Sequence, residues 1–263
     1  MPLSKFMDAK RSELSRLREL AEKDEFPSPF AGDRPSFSRA LTERRAPFPI
    51  IAEFKRASPS LGDIRVRAEV EDVVRQYAAG GAAALSILTE ETWFKGDFDF
   101  MRRAASVADL PILRKDFIFD PLQIEMTASS PASALLLIVR LTPDVALTRD
   151  LRERAEKRGL ECVVEVFDEH DLKIARDSGA KIIQVNSRDL GTLKVNRARA
   201  SRLIRDYSPD NDEIWIAASG IKTANDVKEA SRDGFSGALV GTTLMANGTP
   251  FDNLRKLLED ASL

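Results

Sequence analysis

The chain has 263 residues, enough for one large domain, with 43% apolar and 31% charged residues, an ordinary balance for a globular protein. The 40 Lys+Arg set against 42 Asp+Glu leave a net charge of -2, which gives no electrostatic case for a nucleic-acid or anionic-membrane partner. One cysteine and one histidine exclude an internal disulfide, the common zinc clusters and, with His170 in the polar turn "DEHD", a Ser-His-Asp or Cys-His nucleophile.

Cys162 sits in the apolar run "LECVVEVF" and reads as an inert small hydrophobe, consistent with a reducing compartment and a cytoplasmic location. No apolar run approaches the roughly 20 residues needed to span a bilayer. The N-terminus "MPLSKFMDAKRSELSRLREL" carries both charge signs and is not a secretory signal. It reads as a surface helix followed by the loop "FPSPFAGDRPS". Residues 1–35 are therefore expected to be a helical extension, with 36–263 as the main domain.

From residue 49 on, short apolar runs alternate with amphipathic stretches. The runs are "PIIAEFK" (49–55), "AAALSILT" (82–89), "PILRKDF" (111–117), "ASALLLIV" (132–139), "LECVVEVF" (160–167), "AKIIQVN" (180–186), "EIWIAASG" (213–220) and "GALVGTT" (237–243). Several are almost continuously apolar, as parallel strands covered on both faces are. Between them, "EVEDVVRQYAAGG" places Val70, Val73, Val74 and Tyr77 on one face. "DVALTRDLRERAEKRG", "DEHDLKIARDSG" and "TANDVKEASRDG" each end at glycine, the last also starting with a Thr cap. Eight strand–helix units predict an α/β fold, a single (β/α)8 TIM barrel. An open doubly wound sheet would show a G-x-G-x-x-G turn, which the sequence lacks.

In such a barrel the chemistry lies at the C-terminal strand ends. The first run ends in Glu53 and Lys55, which alternation puts on the side of Ile51. The third carries Lys115 on the side of Leu113 and Phe117. The fifth carries Glu165 after Val163, with Phe167 expected on the same face. The sixth ends in Asn186, the seventh in Ser219-Gly220, the eighth in Gly241-Thr242. A structural ion pair is the competing reading for Glu53 and Lys55, and a solvated strand end for Lys115. Glu165 among valines is harder to dismiss, because burying a carboxylate is costly unless it is paired. "ASGIKTANDV" and "VGTTLM" put small residues and backbone N–H groups after the seventh and eighth strands, the usual phosphate position in barrels. Two tight βα turns are the plain alternative. These residues imply a phosphorylated substrate, no metal and Lys/Glu acid–base groups, with a lysine Schiff base left open.

The same residues resemble the indole-3-glycerol phosphate synthase family. The similarity rests on "IIAEFKRASPS", "LSILTEETWFKG", "PILRKDFIFDPLQI", "VEVFDEHDL", "IIQVNSRDLGTLKV", "SGI" and "LVGTTLM", and covers about residues 35–260. The resemblance implies ring closure of 1-(2-carboxyphenylamino)-1-deoxyribulose 5-phosphate, with loss of CO2 and water and without a cofactor, in tryptophan biosynthesis. By resemblance, Lys115 is the general acid and Glu165 its acid–base partner. Lys55 contacts the substrate carboxylate and Glu53 orients the two lysines. Asn186 and Arg188 serve the ribulose hydroxyls. Ser58, Ser219, Gly220, Gly241 and Thr242 hold phosphate, and Phe94, Phe117, Leu136 and Ile138 form an apolar slot for the anthranilate ring. A monomer is expected, with a homodimer as the alternative.

Two departures stand out. The family usually has an acidic residue before Ser219, where this chain has Ala218. It commonly has a Gly-Ala-Asp run where this chain reads "SSPASALLLI", a change expected to affect packing at the barrel bottom. The competing readings are another sugar-phosphate barrel, an isomerase or a Schiff-base aldolase, and an inactive phosphate-binding homologue. Against the aldolase, two carboxylates beside Lys115 would favour the ammonium over the neutral amine.

Overall fold

In the computed structural model, which describes residues 4–43 and 48–259, eight parallel strands close into one barrel among the described residues. They are β1 (Ile50–Phe54), β2 (Ala84–Leu88), β3 (Ile112–Ile118), β4 (Ala134–Ile138), β5 (Glu161–Val166), β6 (Ile182–Asn186), β7 (Ile214–Ala218) and β8 (Gly237–Val240). Each pairs with its sequence neighbour, and β8 pairs with β1. Each lies almost wholly within one of the eight apolar runs, because these runs supply side chains for both faces of a covered sheet. The outer face (Ile50, Ala52 and Phe54 on β1) packs on helices such as Val70–Gly80, which buries Val70, Val73, Val74 and Tyr77. The inner face (Ile51, Leu113, Leu136, Val163, Ile216, Leu239) forms a second core inside the barrel.

The register decides which inward residues share a level. Glu53 pairs with Ser86 and Ser86 with Leu113; Glu165 pairs with Gln184 and Gln184 with Ile216. Tilted barrel strands climb about one residue per neighbour at constant height. Glu53, Lys115, Glu165 and Ala218, all from odd strands, therefore form one layer. Leu88, Ile138, Asn186 and Gly241 form the layer above it, at the mouth. Ser86, Leu136, Gln184 and Leu239 form the layer below.

Two short helices precede the barrel, Ser4–Ala9 and Arg11–Glu22, and bury Phe6, Leu14 and Leu17. A third, Phe37–Thr42, seals the opposite end of the barrel with Phe37 and Leu41 in the inner core. Its N-terminus is held by Glu161 at the start of β5, which accepts from the Phe37 and Ser38 backbone N–H groups at 2.6 and 3.0 Å. The "SSPAS" departure lies at this end, where buried Ser133 accepts from the Ile112 N–H at 3.4 Å and joins the starts of β3 and β4.

Candidate active site

At the end of β1, Lys55 Nζ lies 2.8 Å from Glu53 Oε1, and Glu53 is only 6% exposed. The backbone beneath them is fixed by the buried Tyr77 hydroxyl, which donates to the Glu53 carbonyl at 3.1 Å. Gly241 follows β8 directly beside this pair. A Cβ there would collide with the Glu53 carboxylate and sit 3.0 Å from Lys55 Nζ, so only glycine leaves the pair in place.

On β3 the odd and even residues have separate tasks. Lys115 points inward, its Nζ 3.8 Å from Glu165 Oε2. Its neighbours Arg114 and Asp116 point outward into a dry network. Asp116 takes Lys10 at 2.8 Å, Arg114 at 3.0 Å and the Thr89 hydroxyl at 2.5 Å, while Arg114 also reaches Glu13 at 3.1 Å. Burial alone would raise the Asp116 pKa, but Lys10 and Arg114 outweigh it and hold it at about 2.

Glu165 is 3% exposed, and both its oxygens are hydrogen-bonded. Asn186 Nδ2 donates to Oε1 at 3.0 Å, and Gln184 Nε2 donates to Oε2. Asn186 is itself fixed. Its Oδ1 accepts the Arg188 N–H at 2.9 Å, and its carbonyl accepts from Arg199 Nη2 at 2.6 Å. Arg188 donates to the Leu193 carbonyl at 2.9 Å; burial lowers its pKa, opposed by nearby Glu53. Phe167 does not join the inward face with Glu165. The strand ends at Val166, alternation lapses there, and the ring lies between the guanidinium groups of Arg140 (4.1 Å) and Arg199 (3.4 Å).

An aromatic wall closes one side. Glu90 caps the short helix Glu91–Phe94 by accepting from the Thr92, Trp93 and Phe94 N–H groups, and this sets the Phe94 ring. Burial raises the Glu90 pKa against those hydrogen bonds. Phe117 lies 6.2 Å from Phe94 and stacks on Phe6 at 4.4 Å. On the other side Ser219 and Gly220 follow β7 with φ of +68° and +83°. A Cβ on Gly220 would lie 2.8 Å from Val195 Cγ1, so the loop needs glycine for both conformation and space. Thr243 Oγ1 donates to the Ile221 carbonyl at 2.7 Å and ties the two loops together.

One cavity of about 840 Å³ opens at this end of the barrel. Of the candidate residues, Glu53, Lys55, Ser58, Phe94, Lys115, Phe117, Ile138, Glu165, Asn186, Arg188, Ser219, Gly220, Gly241 and Thr242 all face it. Leu136 does not. It is fully buried in the layer below Glu165, because alternation gives the side of a strand but not the depth. Ala218 faces the cavity at the level of the charged residues. Sequence reasoning missed Phe6, Glu90 and Gln184, which also line the cavity. The alternation Ile182, Gln184, Asn186 already contains the signal for Gln184; nothing local signals Phe6.

His170 is exposed in the first turn of the helix Glu169–Asp177. Cys162 is buried, which pushes its thiol up. Among the described residues no group of three or more His, Cys, Asp or Glu side chains could hold a metal ion, and no helix is long and apolar enough to cross a membrane.

A family model described as indole-3-glycerol phosphate synthase matches residues 3–257. An indole-3-glycerol phosphate synthase of Desulfosudis oleivorans is 40% identical over 87% of this chain and 88% of its own. That of Koribacter versatilis is 37% identical over 97% of this chain and 98% of its own. Among solved structures, a thiamine phosphate pyrophosphorylase from Pyrococcus furiosus superposes with a TM-score of 0.60 at 16% identity, covering 81% of this chain and 95% of that one, a likeness of fold alone. With the family model matched over nearly its whole length, the chain belongs to the indole-3-glycerol phosphate synthase family.

Proposed function

We propose that the cavity closes the pyrrole ring of 1-(2-carboxyphenylamino)-1-deoxyribulose 5-phosphate, releasing CO2 and water to give indole-3-glycerol phosphate for tryptophan biosynthesis. Family membership supports the reaction, and one observation carries the residue roles: Lys115 and Glu165 face each other across the mouth at 3.8 Å, the only cation–carboxylate contact there that crosses from one strand to another among the described residues. Lys115 is the general acid. As the ring carbon attacks, the carbonyl oxygen gains charge, and a fixed ammonium stabilises that state more than the ground state. Glu165 exchanges a proton with the substrate during dehydration, which needs one group to give a proton and one to take it.

Lys55 meets the substrate carboxylate, with Glu53 holding it at 2.8 Å. Asn186 and Arg188 serve the ribulose hydroxyls. Ser58, Ser219, Gly220, Gly241 and Thr242 take the phosphate, where two backbones bend close to the cavity. Phe94, Phe117 and Ile138 hold the anthranilate ring, with Leu136 supporting them from beneath. Residues 36–263 are the catalytic barrel, and 1–35 the extension that adds Phe6 to its wall. The protein works as a cytoplasmic monomer; its exposed large apolar side chains are scattered over separate helices and loops.

The test is an indole-fluorescence assay on the ribulose substrate. Wild type is expected to give indole-3-glycerol phosphate, and Lys115→Ala to lose about 10²–10⁴ of kcat with an unchanged circular dichroism spectrum. Near-full activity of Lys115→Ala would sink the assignment, and borohydride trapping of a lysine with substrate would redirect it to Schiff-base chemistry.

A further inference from the structure

Gln184 is fully buried, lines the cavity from the layer beneath Glu165, and donates its Nε2–H to Glu165 Oε2. Its other end is unused: Gln184 Oε1 has no hydrogen-bond partner. A buried amide with an orphan acceptor is a costly arrangement to keep unless the acceptor is needed in another state.

The neighbours show which state. An ionised carboxylate only accepts hydrogen bonds, and here Glu165 accepts two amide N–H bonds. Once Glu165 holds a proton, its O–H needs an acceptor. Lys115 is a donor only. Asn186 cannot turn round, because its Oδ1 is held by the Arg188 N–H at 2.9 Å. On the β7 side the same level presents only the methyl of Ala218. Gln184 is free of such a constraint: rotation about its last side-chain bond, a broad two-fold torsion, exchanges Nε2 for Oε1.

We propose that Gln184 is a positioning residue whose amide follows the proton on Glu165, donating to the carboxylate and turning to accept from the carboxylic acid. Asn186 is then the fixed partner and Gln184 the reversible one. This rests on the reading of Glu165 as the acid–base group. In the step concerned, the Glu165 carboxylate takes a proton from the substrate, the Nε2–H···O⁻ bond is replaced by O–H···Oε1, and both revert when the proton is passed on. Of the other charged groups, Lys115 lies 3.8 Å from Glu165, Glu53, Lys55, Glu90, Asp116, Arg188, Arg197, Lys222 and Asp226 line the same cavity, and Arg140 and Asp171 line a small cavity that Glu165 also borders. Replacing Gln184 leaves all of them in place.

The experiment compares the pH profile of kcat/KM for wild type, Gln184→Met, Glu165→Gln and the double variant. Methionine keeps the length of the side chain and removes both donor and acceptor. Methionine takes the N–H···O⁻ bond from the ionised form of Glu165 and the O–H···Oε1 bond from the protonated form. The charge-assisted first is the stronger, so the acid limb of Gln184→Met is expected to move up by less than about one pH unit, with kcat near neutrality falling about tenfold. In the Glu165→Gln background the Gln184 substitution is expected to have no further effect on the residual rate. A rise of well over about one pH unit, the mark of a donor that does not turn, or an equal loss in both backgrounds, overturns the proposal. Should Gln184→Met fail to fold, the side-chain NH2 resonances of Gln184 in the wild type decide the case: they are expected to shift across the acid limb, and constancy there overturns it. If Glu165→Gln itself keeps wild-type activity, the acid–base reading fails instead, and the two failures are told apart.

Discussion

Lys10 Nζ lies 2.8 Å from Asp116 Oδ1, and both side chains are closed off from solvent. The pair ties the N-terminal extension to the residue next to Lys115. It acts on the outer face of β3 while the chemistry is on the inner face, so the extension steadies the strand that carries the proposed acid.

Acid sensitivity follows from this pair. The folded chain holds Asp116 at about 2 against an ordinary value of 3.8, so the unfolded chain binds that proton more readily. The stabilisation is complete above the ordinary value and is lost as pH falls from about 4 through about 2. Asp116→Asn is expected to remove that part of the slope and, by leaving Lys10 and Arg114 with Glu13 in place of two carboxylates, to cost about 3 kcal/mol near neutrality, the low end for breaking a buried ion pair. Urea unfolding at neutral and acid pH measures both; a variant as stable as wild type at pH 7 would refute the account.

Phe6 is 1% exposed and stacks on Phe117 while lining the cavity. Phe6→Ala is expected to cost about 3–5 kcal/mol of stability and to raise KM more than it lowers kcat, since the ring is a wall and not a reacting group. Phe6→Leu is expected to recover most of the stability. Steady-state kinetics with thermal melts check this, and a loss confined to kcat would argue against a wall.

Gly241→Ala forces a methyl into the Glu53–Lys55 pair. Moving the backbone or the pair is expected to cost about 1–3 kcal/mol and to weaken inhibition by inorganic phosphate together with kcat. Unchanged phosphate inhibition would separate Gly241 from the anion site.

Ala218→Glu adds a third carboxylate at the level of Lys115. A further negative charge there favours the ammonium form, so the alkaline limb of kcat is expected to move up by about one pH unit. KM for the phosphorylated substrate is expected to rise, because the mouth becomes more negative. The pH profile is the check, and an unmoved alkaline limb would show that residue 218 does not face the lysine.

Much of the site was legible because alternation is local. Glu53 and Lys55 follow Ile51, Lys115 follows Leu113, and Glu165 follows Val163, so once the apolar runs are recognised as strands the inward residues are fixed by a period of two. The same rule places Leu136 inside but cannot tell that it lies below the cavity, and it fails at Phe167, one residue past the end of β5.

The chain alone determined eight strands, their inward faces and the polar residues that end them, since each depends on side chains a few positions apart. The closed barrel decided the rest. Its tilt and register put Glu53, Lys115, Glu165 and Ala218 at one height, set Gln184 beneath Glu165, and brought Phe6 and Lys10 from the N-terminus against Phe117 and Asp116. Those relations depend on which strands meet and at what stagger, a property of the closed sheet that no single segment carries.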